Sequence, residues 1–93
     1  MQYSHQTQLS EVNELPSALA SSVTFWSGNV RHLITAQANS AWSLYENGGT
    51  LIGDFLAVES GFAIIDDDGV EVDRFDNWRS AIRRILRRSV RAA

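Results

Sequence analysis

The chain has 93 residues, no cysteine and a formal net charge of −3. This length has room for one hydrophobic core, and the lack of cysteine excludes a disulfide framework or a thiolate metal centre. Hydrophobic residues make up 44% and charged residues 20%, which is typical of a folded globular domain and not of a disordered chain.

Residues 1–8 are polar and show no periodicity, so we expect a flexible N-terminal tail followed by a single α+β domain over residues 9–93. The N-terminus lacks the basic start and apolar stretch of a secretory signal. No apolar run approaches the roughly 18 residues of a membrane span. A cytoplasmic protein without membrane contact is therefore expected.

The first periodic segment runs from Leu9 to Val23, where apolar residues recur at spacings of three and four, as on one face of a helix. Pro16 interrupts this pattern, because proline costs about 3 kcal/mol in a helix interior but is tolerated in the first turn. The segment therefore predicts a short N-terminal helix that begins near Pro16.

Residues 22–37 contain two runs of strand-forming residues on either side of Gly28-Asn29. A Gly-Asn pair between such runs is typical of a hairpin turn, so we predict two strands here. A helix from Asn29 to Ala41 remains the alternative, because Val30, Leu33 and Ile34 also fit helical spacing.

A second hairpin is predicted around Asn47-Gly48, since both residues tolerate the positive φ of a type I′ turn. Pairing Glu46 with Gly49 sets Leu44 opposite Leu51 and Trp42 opposite Gly53. On this register four apolar residues share one buried face, and Gly53 leaves space for the Trp42 indole. These are Trp42, Leu44, Leu51 and Phe55.

A third hairpin is predicted at Asp66-Asp67-Asp68-Gly69, with Gly69 in the left-handed position of a bulged three-residue loop. This loop pairs Asp66 with Val70 and Ile64 with Val72, whereas a two-residue loop would pair Ile64 with Asp73. We prefer the first register because it places four apolar residues on one side: Phe62, Ile64, Val70 and Val72.

The C-terminal segment is an amphipathic helix with Asp76 as its expected N-cap. Its apolar residues share one face at 100° per residue: Trp78, Ala81, Ile82, Ile85, Leu86 and Val90. The predicted fold is thus an antiparallel β-meander of about four to six strands packed against a C-terminal helix.

No catalytic, cofactor or metal site is expected. The only histidines are His5 and His32, and no nucleophile motif or phosphate-binding loop is present. The three aspartates before Gly69 do not fit a calcium loop, because aligning Gly69 with the EF-hand glycine puts Ile64 at the first ligand position. We therefore expect a non-catalytic protein.

Charge is distributed unevenly along the chain. Residues 76–93 carry six arginines and one acid, a net charge of +5, and the remaining residues carry a net charge of −8. Such asymmetry is typical of a charged partner or of two segments that face each other.

The helix arginines lie opposite its apolar face, and four of them form a continuous i, i+4 row of like charges, which is unfavourable in an isolated helix. Three interpretations are open: a solvated face, a contact with carboxylates of a protein or a second copy, and a contact with nucleic-acid phosphates. The acids of Asp66–Asp68, Glu71 and Asp73 would suit contact between copies. The candidate partner-binding residues are Arg79, Arg83, Arg84, Arg87 and Arg91.

The second half of the chain, with a sheet that ends at Phe75 and a helix that carries Trp78 and Ala81, resembles the sheet-reading DNA-binding domains of the AP2 and integrase-arm type. That resemblance implies strands that lie on DNA. The chain departs from the pattern at Asp73, where the family often has glycine, and its strands are acidic where DNA would lie. We do not assign the chain to this family.

The function expected from the sequence is that of a small non-catalytic protein-binding or regulatory module, acting as a monomer or a homodimer. The alternative is a nucleic-acid-binding protein that uses the arginine-rich C-terminal helix.

Overall fold

A computed structural model describes residues 6–38 and 40–91, with helix side chains as far as Arg88. The chain forms one six-stranded antiparallel sheet whose strands neighbour each other in chain order, so every connection is a hairpin. This α+β meander with a C-terminal helix is the predicted fold. The strands are β1 Ser22–Ser27, β2 Val30–Ala38, β3 Ala41–Glu46, β4 Thr50–Val58, β5 Gly61–Ile65 and β6 Glu71–Phe75, and the helix α1 is Trp78–Arg91.

The N-terminal helix prediction is wrong for the residues after Pro16, which are irregular. Among residues 6–21, the helical turn is a 3₁₀ turn at Leu9–Glu11. The connection turns into β1 through a hydrogen bond from Ser21 N to Ala18 O, with Ala20 at φ +68°. A helix across Ala18–Ser21 would require negative φ at Ala20.

Part of the predicted flexible tail lies against the sheet. Trp26 N donates a hydrogen bond of 2.7 Å to Thr7 O, and Gln8 forms a parallel bridge with Trp26. Residues 1–5 of that tail lie outside the described residues, so its flexibility stays a prediction.

The first hairpin is confirmed as two strands, which excludes the helix from Asn29 to Ala41. Ser27 pairs with Val30 across the two-residue turn Gly28-Asn29. Gly28 has φ +63°, a conformation that glycine adopts without the steric cost other residues incur.

The second hairpin exists, but its predicted register is wrong. Glu46 pairs with Thr50, Leu44 with Gly53 and Trp42 with Phe55. The reason is a three-residue loop in which Gly48 and Gly49 both have positive φ, together with a bulge between the Leu44 and Tyr45 pairs. Leu51 therefore leaves the core face and is 48% exposed.

Gly53 makes room for the helix instead of for the Trp42 indole. A methyl group on Gly53 would lie 2.6 Å from Ile85 Cγ2. The Trp42 ring instead stacks on Phe55, with ring centroids 5.5 Å apart.

The third hairpin has the predicted turn but a different register beyond it. Gly69 has φ +79°, and Asp66 N bonds to Val70 O at 3.0 Å, as expected. A further bulge then sets Ile64 opposite Asp73, which corrects the predicted Ile64–Val72 pair. Val70 and Val72 are consequently 57% and 45% exposed and do not join Phe62 and Ile64 in the core.

Helix α1 begins one residue later than predicted, because Asn77 and not Asp76 is its N-cap. Ser80 N donates to Asn77 Oδ1 at 2.9 Å, which satisfies one of the free N–H groups of the first turn. Ala81, Ile82 and Ile85 of the predicted apolar face are buried. Val90 lies outside the described side chains.

The core lies on one face of the sheet, called here the inner face. Cross-strand pairs place Phe25, Ile34, Leu44, Phe55 and Ile64 on it, all almost fully buried. The helix covers this face over β4–β6, and Leu9 and Val12 of the N-terminal segment join the same core. The opposite side is called the outer face.

Candidate arginine groove

The exposed side of α1 and the inner side of β6 enclose a groove of about 370 Å³, called here the arginine groove. It exists because the bulge after Ile64 turns Asp73 and Phe75 toward the helix. Its residues carry three positive charges and one negative charge. They are Asp73, Phe75, Ser80, Arg83, Arg84 and Arg87.

Arg79 is engaged within the chain. Its guanidinium donates a hydrogen bond to Val12 O and lies over the Trp78 ring, 4.4 Å from the ring centroid. It thus ties the N-terminal segment to the first turn of the helix, a contact between residues 67 positions apart. The structure gives Arg79 a role in holding the fold.

Arg84 forms an ion pair across the groove floor. Its Nε lies 3.3 Å from Asp73 Oδ2, and the two side chains are 40% and 34% exposed. The basic helix and the acidic hairpin therefore face each other within one molecule at this point. An exposed pair of this kind contributes about 0–1 kcal/mol of stability. Its main effect is therefore to hold the Arg84 side chain in the groove floor.

Arg83 and Arg87 form the open rim of the groove. Both are exposed and lie one helical turn apart on the same row. Neither forms an ion pair with any described residue. Two adjacent guanidiniums without counter-charges offer two sets of planar donors to an anion.

Two further arginines belong to the end of the helix: Arg88, which is not in the predicted set, and Arg91, which is. Arg88 is exposed and borders a separate concavity of about 470 Å³ near Asp54, Asp66 and Asp67. The Arg91 side chain lies outside the described residues. Of the predicted set, the groove therefore brings together Arg83, Arg84 and Arg87.

The aspartate turn is held by hydrogen bonds between the Asp66 side chain and the backbone of the turn. Asp66 Oδ1 accepts hydrogen bonds of 2.9 Å from both Asp68 N and Val70 N, which is an ordinary role for an aspartate that begins a turn. Nowhere in residues 6–38 and 40–91 do three or more histidine, aspartate or glutamate side chains come together to hold a metal ion.

Further acids of the hairpin are also paired. Arg74 donates two hydrogen bonds to Glu71, at 3.0 and 2.8 Å, and these bonds hold the pKa of Glu71 below its ordinary value. With Asp73 paired to Arg84, the acids that were expected to meet a second copy's arginines are partly neutralised in the same chain.

His32 is buried on the inner face, with 5% of its surface exposed. Its ring stacks on Phe25 at a centroid separation of 5.2 Å, and Nδ1 has no hydrogen-bond partner among the described groups. Burial lowers the pKa of His32, and the Glu46 carboxylate on the neighbouring strand opposes that effect only partly.

Phe75 and Ser80 were not predicted as groove residues. Phe75 was predicted only as the end of a strand, and its orientation depends on the bulge after Ile64. Ser80 lies one turn before Arg84 on the helix, a spacing that could have indicated a shared surface.

No protein-family model, curated protein or solved structure matches the chain. Within the described residues, no helix is long and apolar enough to cross a membrane.

Proposed function

We propose that the chain is a non-catalytic protein-binding module that recognises an acidic segment of a partner protein in the arginine groove. The observation that supports this is the pair of exposed guanidiniums of Arg83 and Arg87, which have no counter-charge in the described structure. Carboxylates of a partner would supply one and relieve the repulsion along the helix row.

The mixture of apolar and charged residues in the groove favours a protein segment as the ligand. Phe75 provides an apolar surface beside the arginines, so a peptide with both carboxylate and apolar side chains matches its composition. Asp73 fixes Arg84 in the floor, which lowers the entropic cost of ordering that arginine when a ligand binds.

The surrounding charge disfavours nucleic acid. The neighbouring hairpin carries Asp66–Asp68, Glu71 and Asp73, and the whole chain has a net charge of −3. A phosphate backbone that lies along the helix would pass close to these acids, and its binding depends mostly on positive charge.

A random peptide library displayed against the folded protein tests the proposal. We expect the retained peptides to be rich in aspartate and glutamate and to be lost when Arg83→Glu is combined with Arg87→Glu. Arg88→Glu is the control, since it reverses an exposed arginine of the same helix that does not line the groove. Neutral enriched peptides, or acidic ones that bind the double variant equally, would contradict the proposal.

Duplex and single-stranded nucleic acid are tested alongside the peptides. Tight, salt-sensitive binding to either one that depends on Arg83 and Arg87, with no acidic peptide retained, would replace the proposed function with nucleic-acid binding.

A further inference from the structure

The outer face of the sheet carries a continuous row of large apolar residues, called here the outer band. Leu33 lies directly opposite Tyr45, and Tyr45 lies opposite Leu51, so the three side chains form one row across β2, β3 and β4. Trp26 is the diagonal neighbour of Leu33 at the end of β1. The outer band consists of Trp26, Leu33, Tyr45 and Leu51.

The described elements outside the sheet leave this band open. Helix α1 and the 3₁₀ turn both pack into the inner core. Trp26, Leu33 and Tyr45 are half-buried, and Leu51 is 48% exposed. A sheet with apolar residues on both faces normally needs a layer on each side.

From the register and the charges of this face, we infer that the outer band is the interface of a homodimer in which two sheets stack face to face. The occupant is a second copy of this chain. The inference does not depend on the arginine groove, which lies at the helix on the other side of the sheet.

Charge supports a second copy as the occupant. Four charged residues of the described strands point to the outer face, two of each sign, and Glu71 and Arg74 among them already form an ion pair of 2.8 Å. A neutral face meets its own copy without net repulsion, whereas a strongly charged partner would find no excess charge to bind. The four residues are Arg31, Asp54, Glu71 and Arg74.

The area of the outer face is also close to the area that a dimer interface buries. Six strands of five to nine residues, about 4.8 Å apart and about 17–30 Å long, present a face on the order of 600 Å². An interface of standard size buries about 800 Å² on each partner, so one face of this sheet is close to what a stable dimer needs. Two twisted sheets stack about 10 Å apart, which leaves room for interdigitated leucine and tyrosine side chains.

The oligomeric state in solution tests the inference. Sedimentation equilibrium from micromolar to millimolar concentration should show a dimer, and Leu51→Glu should raise its Kd by about tenfold or more by placing a charge in an apolar contact. Leu19→Glu is the matched control, because Leu19 is 72% exposed and precedes the sheet. A monomer at every concentration, or equal weakening by both variants, would overturn the inference.

Cross-linking locates the contact independently of stability. Because the natural chain has no cysteine, Leu33→Cys and Leu19→Cys each introduce a single thiol. A short bismaleimide should cross-link Leu33→Cys into dimers and leave Leu19→Cys mostly monomeric, with circular dichroism confirming both folds. The reverse pattern would refute the outer band as the interface.

The same measurements separate this inference from the proposed function. Arg83→Glu with Arg87→Glu should abolish peptide binding and leave the dimer intact. Loss of the dimer in that variant would instead assign self-association to the arginine groove and overturn the outer band.

Discussion

At the scale of single residues, Gly53 determines how closely the helix approaches the sheet. We expect Gly53→Ala to lower the free energy of unfolding by about 1–3 kcal/mol, because its methyl group would lie 2.6 Å from Ile85 Cγ2. Chemical denaturation measures the loss. Thr50→Ala is the control, because it changes an exposed residue of the same strand.

A double variant separates steric overlap from other effects of Gly53→Ala. Ile85→Ala removes the atoms that the new methyl group would meet, at its own cost of about 2–5 kcal/mol. Adding Gly53→Ala to Ile85→Ala should then cost much less than it does in the natural chain. Full additivity of the two losses would show that the overlap with Ile85 is not the cause.

His32 should make stability depend on pH in a defined window. Its folded-state pKa lies below the ordinary 6.5, so the unfolded chain binds a proton more readily than the folded one. Its contribution is complete above pH 6.5 and is lost as pH falls through 6.5 toward the lower folded-state pKa. Carboxylates contribute mainly below about pH 5, since their unfolded pKa values lie near 4.

Denaturation at pH 7.5 and at pH 5.5 measures this effect, with His32→Phe as the control that keeps an aromatic ring beside Phe25 but cannot titrate. We expect the natural chain to lose stability between these pH values and the variant to lose less. Equal losses in both proteins would show that His32 does not set the dependence.

At the scale of elements, Arg79 and Arg83 belong to one charged row but differ in their contacts. They lie one turn apart on α1, but only Arg79 bonds to Val12 O and stacks on Trp78. We expect Arg79→Ala to cost about 1–2 kcal/mol of unfolding free energy and Arg83→Ala about zero. Thermal unfolding of the two variants compares them directly, and equal melting temperatures would contradict the assigned role.

The hairpins show how far local sequence determines the elements. The sequence predicted three turns correctly, because each turn depends on residues only two to four positions apart. These turns contain Gly28, Gly48 and Gly69. The register failed at Leu51 because the loop has three residues instead of the predicted two, and at Val72 because a bulge lies beyond the turn. A strand pattern cannot indicate in advance where one extra residue will be accommodated.

The N-terminal segment failed as a prediction for a related reason. Its helical spacing is real, and Leu9 and Val12 are buried as that pattern implies. The contacts that fix it, Trp42 Nε1 to Pro16 O at 2.7 Å and Arg79 to Val12 O, come from residues far along the chain. Tertiary contacts replaced local propensity here.

At the scale of the whole molecule, the two charged segments recognised in the sequence do face each other, through Arg84 and Asp73. Among the predicted arginines whose side chains the structure describes, that contact and the turn of Arg79 to the N-terminal segment leave Arg83 and Arg87 at the groove rim. The sequence could indicate the charged helix face but could not divide it, since the division depends on which strand lies beside the helix.

The proposed function requires Arg83 and Arg87 to bind carboxylates of a partner protein. The most direct measurement is a fluorescence anisotropy titration of an acidic peptide from the library selection, against the natural chain and the Arg83→Glu, Arg87→Glu double variant. We predict saturable binding to the natural chain that weakens with salt, and a loss of at least about tenfold in the double variant, whose circular dichroism stays native. Unchanged affinity in a natively folded double variant would contradict the claim.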